Sequence, residues 1–263
     1  MIEAMLYVLV GGLVGGLIGL TGIGGGSLLT PILIFGFGQS PLVAVGTALA
    51  ASATTKLAVS GPISRAHRVD WGVAGRLALG SVPAALGVLL WLWLAPHPPA
   101  MLDRMIIHLL GVLLALTGAA ILFQSPLRLL GLRTTAAALP LMERWRPHLT
   151  VLLGVMVGVT VTLSSIGAGA LASVALLYLY PLRLTGERLV ATDIAYALPL
   201  AIIAALGHAA LGHLDGTRLG LLLLGSVPAA VYAHRSAWRV PPALFRPGMA
   251  AIMIGWAAHL LAT

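Results

Sequence analysis

Two ionisable side chains lie inside long apolar stretches of this chain and are its first candidates for chemistry. Lys56, the only lysine, follows Thr55 in one stretch, and Asp193 follows Thr192 in another. An ionisable group in apolar surroundings is costly unless it is paired or hydrated, which makes it a functional candidate. Lys56 can neutralise an anionic substrate, whereas Asp193 can carry a proton or pair with Lys56 when substrate is absent. The alternative for each residue is a place near a membrane interface, with the charge in water.

A dense run of glycines and hydroxyl residues forms a second kind of candidate site. Glycine in a helix interior costs about 1 kcal/mol relative to alanine, but it lets a ligand approach the backbone closely. Backbone N–H groups freed at a helix start, together with neighbouring hydroxyls, can bind a compact anion. The alternative is that the glycines only let helices pack closely. The candidate ligands of this first cluster are Thr21, Gly22, Gly24, Gly25, Gly26 and Ser27.

The same pattern recurs in the second half of the chain. The segment Leu20–Leu28 aligns with Leu163–Leu171, and the six residues Gly80–Ala85 recur identically as Gly225–Ala230. An identical string in a consistent frame indicates an internal duplication. In the second copy Val174 replaces the proline that follows the first cluster, so the two copies need not contribute equally. The candidates added by the second copy and by the aligned threonines are Ser164, Ser165, Gly167, Gly169, Thr47 and Thr192.

The elements that carry these residues are predicted to cross a membrane. The chain is 59% hydrophobic and only 8% charged, whereas a soluble protein has about 25% charged residues. Its net charge of +8 resides in short loops and not on a nucleic-acid-binding face. The absence of cysteine excludes disulfides and thiolate chemistry, and no metal or cofactor is expected. Eight apolar blocks cover residues 6–37, 42–63, 72–95, 105–125, 148–180, 189–211, 217–234 and 243–262.

The distribution of arginine in the loops predicts the topology. Loops rich in arginine lie on the cytoplasmic side, which includes the loop with Arg183 and Arg188. The fifth block then starts and ends on one side, so it is a re-entrant hairpin or a broken helix, and by symmetry so is the first. The alternative is a long tilted helix. The predicted fold is an all-α polytopic membrane protein with two inverted repeats, 1–125 and 148–263, joined by a basic cytoplasmic linker, 126–147.

Histidine offers one further candidate for proton coupling. His108, His208 and His259 lie in apolar blocks, and none has the spacing of a helical metal site. His208 is the best candidate because its neutral-pH titration can assist coupling. The alternative is an ordinary hydrogen-bonded contact between helices.

The first cluster carries a resemblance to a known family. Gly22, Gly24, Gly25 and Gly26, followed by Pro31 and then by the small-residue segment Ala44–Ala48, resemble the TauE/SafE family of sulfite and organosulfonate exporters. That family is also known as the 4-toluene sulfonate uptake permeases. The resemblance covers residues 5–262 and implies a multi-pass transporter of a small sulfur-containing anion in the bacterial inner membrane.

The function predicted on this basis is secondary transport, with export as the expected direction. Protons are the expected coupling ion, and alternating access is expected at a site between the two repeats. The substrate and the lipid bilayer are the other expected partners. The alternatives are a passive anion channel and, less favoured, an intramembrane enzyme or a structural membrane protein. No paired carboxylates and no G-x-S-x-G motif occur within the apolar blocks, so no enzymatic activity is expected.

Overall fold

The described part of the chain is entirely helical. The computed structural model describes residues 2–21, 25–63, 69–94, 99–124, 126–127, 129–130, 132, 139–184, 186–236 and 246–262, and no strand occurs in these ranges. Seven of its helices are long and apolar enough to cross a membrane. Large apolar side chains such as Leu79, Trp93 and Leu224 project outward from the bundle, as lipid-facing residues do. The predicted all-α architecture is confirmed for the described residues.

The first and fifth blocks each contain two helices. The ends of the helices differ from the predicted blocks in two places: the eighth block contains a helix of only 17 residues, and the sixth helix starts inside the predicted linker 126–147. The helices are α1 Ile2–Thr21, α2 Gly26–Pro31 with a π-helical turn Ile32–Gly36, α3 Pro41–Ile63, α4 Trp71–Leu94, α5 Pro99–Leu122, α6 Leu139–Ser164, α7 Ala170–Leu179, α8 Glu187–Ala210, α9 Gly216–Ser236 and α10 Arg246–Ala262.

The fifth block is broken where the backbone leaves helical geometry. Between α6 and α7, Ser165 has φ 61°, Gly167 has φ 121° and Gly169 has φ 141°. Positive φ is uncommon for a residue with a Cβ, and only glycine adopts the larger values without strain. Gly22, Ile23 and Gly24, at the corresponding break between α1 and α2, lie outside the described residues.

Close helix packing has the same pattern in both halves. Helix α1 packs parallel to α9, and α4 packs parallel to α6. A Cβ placed on Gly15 would lie 2.2 Å from the Ser226 carbonyl oxygen, and one on Gly158 would lie 2.3 Å from the Ser81 carbonyl oxygen. Small residues allow backbones to approach this closely in membrane helix pairs. Helices α5 and α10 also pack together, as do α3 and α8. Helices α1, α3, α4 and α5 of the first half correspond in order to α6, α8, α9 and α10 of the second, so these four helix pairs remain the same when the two halves are exchanged.

The two ends of the bundle differ in charge. At one end, which we call the basic end, the starts of α4 and α8 lie together, since the Asp70 N–H donates to Thr192 Oγ1 over 3.0 Å. At the other end the starts of α3 and α9 lie together, since the Asp215 N–H donates to Thr47 Oγ1 over 3.2 Å. The direction in which each helix runs between the two ends shows which of its residues lie at the basic end. Most of the described arginines lie there, namely Arg76, Arg144, Arg146, Arg183, Arg188 and Arg235.

Candidate functional site

The breaks in the two halves touch inside the bundle. A Cβ on Gly26, at the start of α2, would lie 2.1 Å from Ser165 Oγ and 2.3 Å from the Ser165 carbonyl oxygen. This separation leaves room for a hydrogen atom only. The buried Ser165 hydroxyl itself has no hydrogen-bond partner among the described residues. The structure therefore brings one predicted residue of each cluster into direct contact.

The other members of the first cluster are partly described. The Gly25 carbonyl starts α2 by accepting the N–H groups of Leu28 at 3.2 Å and Leu29 at 2.9 Å. A Cβ on Gly25 would lie 2.4 Å from Ile18 Cδ1, so the glycine lets α2 pack against α1. Ser27 is buried. Gly22, Gly24 and the side chain of Thr21 lie outside the described residues.

The second cluster holds its turn with internal hydrogen bonds. Ser164 Oγ donates to the Thr160 carbonyl over 2.6 Å and accepts the Ile166 N–H over 3.1 Å. Gly169 precedes α7, and its carbonyl accepts the Ser173 N–H over 2.8 Å. The Ser164 hydroxyl is thus engaged in shaping the turn, whereas that of Ser165 has no hydrogen-bond partner in the described part of the chain.

The two ionisable candidates come together between α3 and α8. Lys56 is 3% exposed and Asp193 is 2% exposed, and their charges interact through space without a direct ion-pair contact. Ser173, on α7, lies with its hydroxyl 3.5 Å from Asp193 Oδ1. The buried Tyr196 hydroxyl also lies beside this carboxylate, although outside ordinary hydrogen-bond geometry. A buried pair of opposite charges avoids the cost of a single charge, provided that both members remain.

Several buried hydroxyls on α2, α3 and α8 lack a hydrogen-bond partner among the described residues. They belong to Thr30 on α2, Ser52 on α3 and Tyr196 on α8. Ser52 is one helical turn from Lys56, and Tyr196 is one turn from Asp193, so each hydroxyl shares the face of a charged residue. An unsatisfied buried polar group costs about 1–3 kcal/mol, and such groups call for a water molecule or a ligand.

The two predicted threonines lie elsewhere. Thr47 Oγ1 accepts the Asp215 N–H, and Thr192 Oγ1 accepts the Asp70 N–H and donates to the Arg188 carbonyl over 2.7 Å. They sit at opposite ends of the bundle, one in each half. The structure therefore engages both hydroxyls in contacts between the halves.

His208 also lies apart from the charged pair. It follows Asp193 along α8 by about 22 Å, from the helical rise of 1.5 Å per residue. Its buried Nε2 is 2.8 Å from the Thr162 carbonyl oxygen, and its ring lies 5.6 Å from that of His213. Burial lowers the pKa of His213, in the turn after α8, which keeps that ring neutral at neutral pH. In the described ranges, no three His, Cys, Asp or Glu side chains are placed to hold a metal ion.

An ionic cluster at the basic end was missed by the sequence analysis. Asp70 is buried, and its carboxylate accepts Arg183 Nε at 2.5 Å and Arg183 Nη2 at 2.8 Å. Arg188 Nη2 adds a third contact at 3.3 Å. The acid belongs to the first half and both arginines belong to the second. The sequence pattern predicts only topology from the two arginines, although the frame that aligns Gly80 with Gly225 also aligns Asp70 with Asp215.

Thr30 and Ser173 were also missed, and the duplication contained the signal that could have found them. The frame that aligns Leu20 with Leu163 also aligns Thr30 with Ser173. A hydroxyl therefore recurs at the same place on α2 and α7. In the second half this hydroxyl meets Asp193, while in the first half the aligned position on α3 is Ala48, which offers no acceptor side chain.

Comparisons with known proteins agree with the resemblance that the glycine motif indicated. The family model "Sulfite exporter TauE/SafE" matches residues 7–260. The chain is also 36% identical over 247 residues to the probable membrane transporter protein YjnA of Bacillus subtilis (strain 168), covering 94% of this chain and 95% of that protein. No solved structure matches the chain.

Proposed function

This chain belongs to the sulfite exporter TauE/SafE family, and from that premise we propose that it exports a small sulfur-containing anion such as sulfite or an organosulfonate. Family membership and the similar protein identify it as a membrane transporter and not an enzyme. The observation that carries the substrate class is Lys56, a buried cation on the same helix face as the Ser52 hydroxyl, which has no hydrogen-bond partner among the described residues. A sulfonate or sulfite group supplies the negative charge and the several acceptor oxygens that such a site lacks.

The substrate site is proposed to lie between the two helix breaks and the Lys56–Asp193 pair. Gly26 and Ser165 bring the breaks into contact, and Ser173 connects α7 to Asp193. An anion bound to Lys56 would also reach the hydroxyl of Ser52 on the same face of α3. Glycines at the breaks leave room for the substrate beside the backbone, as residues with larger side chains would not.

Charge balance suggests how protons enter the cycle. Without substrate, the opposite charges of Lys56 and Asp193 would offset each other in the buried space between α3 and α8. An anion that takes over Lys56 leaves Asp193 as an unpaired buried carboxylate, which is costly until it binds a proton. One anion and one proton therefore occupy the loaded site together, and the direction of net flux follows the sum of their gradients. Export results where the anion accumulates inside the cell.

Alternating access is proposed to arise from two inverted repeats, residues 1–125 and 148–263, with 126–147 as the linker. Two observations support this arrangement. Each pair of packed helices has an equivalent pair when the two halves are exchanged, and one Thr–Asp contact lies at each end of the bundle. Helices α2 and α7 would be the returning arms of re-entrant hairpins. By the positive-inside rule the basic end faces the cytoplasm of a bacterial inner membrane.

Reconstituted transport tests the proposal. Proteoliposomes loaded with radiolabelled sulfite or a small organosulfonate are expected to release it faster when the compartment that contains the anion is made more acidic. Flux that is unaffected by the pH gradient would instead indicate a passive anion channel. Absence of flux for sulfite, thiosulfate and sulfonates, with correctly inserted protein, would refute transport of this anion class.

A further inference from the structure

A cleft opens at the basic end, away from Lys56. It has a volume of about 460 Å³ and is lined by three arginines, Arg76, Arg146 and Arg183, and by a single acid, Glu143. The arginines come from α4, from α6 and from the turn between α7 and α8. Guanidinium groups from separate elements around one opening raise the positive potential there and attract an anion.

Arg146 is held in place within this cleft. Its guanidinium lies over the Tyr180 ring, 5.8 Å from the ring centre, and its side chain is 14% exposed. The Tyr180 hydroxyl is in turn hydrogen-bonded to Thr150 Oγ1 at 2.8 Å. The contact with Glu143, at 3.8 Å, is at the outer limit of an ion pair and involves a mostly exposed acid. A guanidinium oriented in advance loses less entropy when it binds an anion.

Arg183 is shared between the cleft and the Asp70 cluster. Asp70 is contacted by both Arg183 and Arg188, so one carboxylate faces two guanidinium groups. If Arg183 turned towards an anion in the cleft, Asp70 would keep Arg188 as its partner. Counting Asp70, Glu143 and Glu187 against the arginines of the cleft and Arg188 leaves one excess positive charge at this end.

We propose that this cleft is a second anion site, which binds a tetrahedral oxyanion such as sulfate, a sulfonate or a phosphate group. Planar guanidinium groups match the oxygens of such groups through paired hydrogen bonds. The occupant is either a free anion or the phosphate of an acidic lipid headgroup, because the cleft lies at an end of helices that cross the membrane. In either case it competes with Asp70 for Arg183 and loosens a contact between the two halves.

The test is titration of the full-length protein, purified in a neutral detergent, with sodium sulfate at constant ionic strength in a calorimeter. Arg76→Gln removes a cleft charge that makes no ion pair in the described part of the chain. Sulfate affinity is expected to fall about tenfold, as for loss of one charge-assisted hydrogen bond. The matched control is Arg144→Gln, which removes the same charge from an exposed position of α6 outside the cleft. Its affinity should stay within about twofold of wild type.

Two further variants separate this site from the proposed substrate site. Asp70→Asn keeps an oxygen for the start of α4 but releases Arg183, and it should bind sulfate more tightly than wild type. Lys56→Met should still show the sulfate binding that is weakened in Arg76→Gln. Because the measurement is binding and not flux, a failure of the transport proposal would leave this result intact.

The source of the oxyanion is distinguished in nanodiscs. If the natural occupant is a lipid, phosphatidylglycerol should raise the thermal unfolding temperature of wild type more than that of Arg76→Gln, and it should block sulfate binding. If it is a free anion, sulfate should bind equally in phosphatidylglycerol and phosphatidylcholine. The proposal is overturned if neither sulfate nor phosphatidylglycerol distinguishes Arg76→Gln from Arg144→Gln, or if Asp70→Asn weakens sulfate binding in a folded protein.

Discussion

At the scale of the residue, the main feature is a cation and an acid buried together between α3 and α8. Lys56 and Asp193 are almost completely removed from solvent, and the hydroxyls of Ser173 and Tyr196 lie beside the acid. Charges in such surroundings are stable only as a pair, so anything that takes one partner changes the state of the other. The proposed link between anion binding and proton binding rests on this coupling.

The interaction between Lys56 and Asp193 can be measured from the free energy of unfolding of single and double variants. Lys56→Met is expected to lower the stability of the purified protein by about 3–5 kcal/mol, because it leaves a buried carboxylate without its cation. The double variant Lys56→Met/Asp193→Asn should recover much of this loss, as measured by thermal unfolding in detergent. If the two single losses simply add in the double variant, the residues do not form a pair.

The proton is expected to bind at Asp193. In Asp193→Asn the side chain stays neutral at every pH, so anion flux in proteoliposomes should no longer respond to a pH gradient. Asp103→Asn makes the same chemical change on α5 and should keep the wild-type response. A wild-type response in Asp193→Asn would assign the proton to another group, His208 being the next candidate.

At the scale of the element, the proposed substrate site lies where helices end. The α6–α7 break contains three residues with positive φ, and the α1–α2 break is flanked by glycines that let α2 pack against α1 and against Ser165. The two short arms α2 and α7 carry Thr30 and Ser173 at aligned positions. Only the second of these meets an acid, so the two arms are alike in backbone but different in chemistry.

The contact between the breaks can be tested with a single methyl group. Gly26→Ala would place a Cβ 2.1 Å from Ser165 Oγ, and overpacking of this kind costs about 1–3 kcal/mol. We expect anion flux to fall about tenfold or more while the protein still inserts and purifies as a folded species. Gly16→Ala is the control, because a Cβ there would have no atom within 4 Å. Equal anion flux in both variants would show that the contact between Gly26 and Ser165 has no role in transport beyond helix packing.

At the scale of the whole molecule, the two halves hold each other at both ends. Asp70 and Thr192 meet at the basic end, and Asp215 and Thr47 meet at the other. The basic end is further strengthened by Arg183 and Arg188, whereas Arg218 pairs with Asp215 within α9 and the turn before it. Opening either end requires breaking contacts between the halves, and more ionic contacts must break at the basic end.

The proposed orientation predicts which side each end faces. The chain has no cysteine, so single cysteines can be introduced without a background. Leu182→Cys, exposed at the basic end, should react with a membrane-impermeant maleimide only in inside-out vesicles. Thr217→Cys, exposed at the other end, should react only in right-side-out vesicles. Labelling of both from the same side would contradict the inverted arrangement.

The sequence by itself determined the class of the protein, the duplication and most of the candidate residues. Apolar blocks of membrane-spanning length leave few alternatives to a helical bundle, since backbone groups in a bilayer must bond within their own segment. The glycine motif led to the family, and two isolated charges in apolar segments led to Lys56 and Asp193. These properties depend on residue type and local spacing, which can be read directly from the chain.

Only the tertiary structure decided which of these residues meet. It brought Lys56 to Asp193 and Gly26 to Ser165, but placed Thr47 and Thr192 at opposite ends and His208 far along α8. It also revealed the Asp70 cluster and the basic cleft, whose members come from distant parts of the chain. The physical reason is that such contacts depend on how helices rotate and pack against one another, and the local pattern of a single helix does not contain that information.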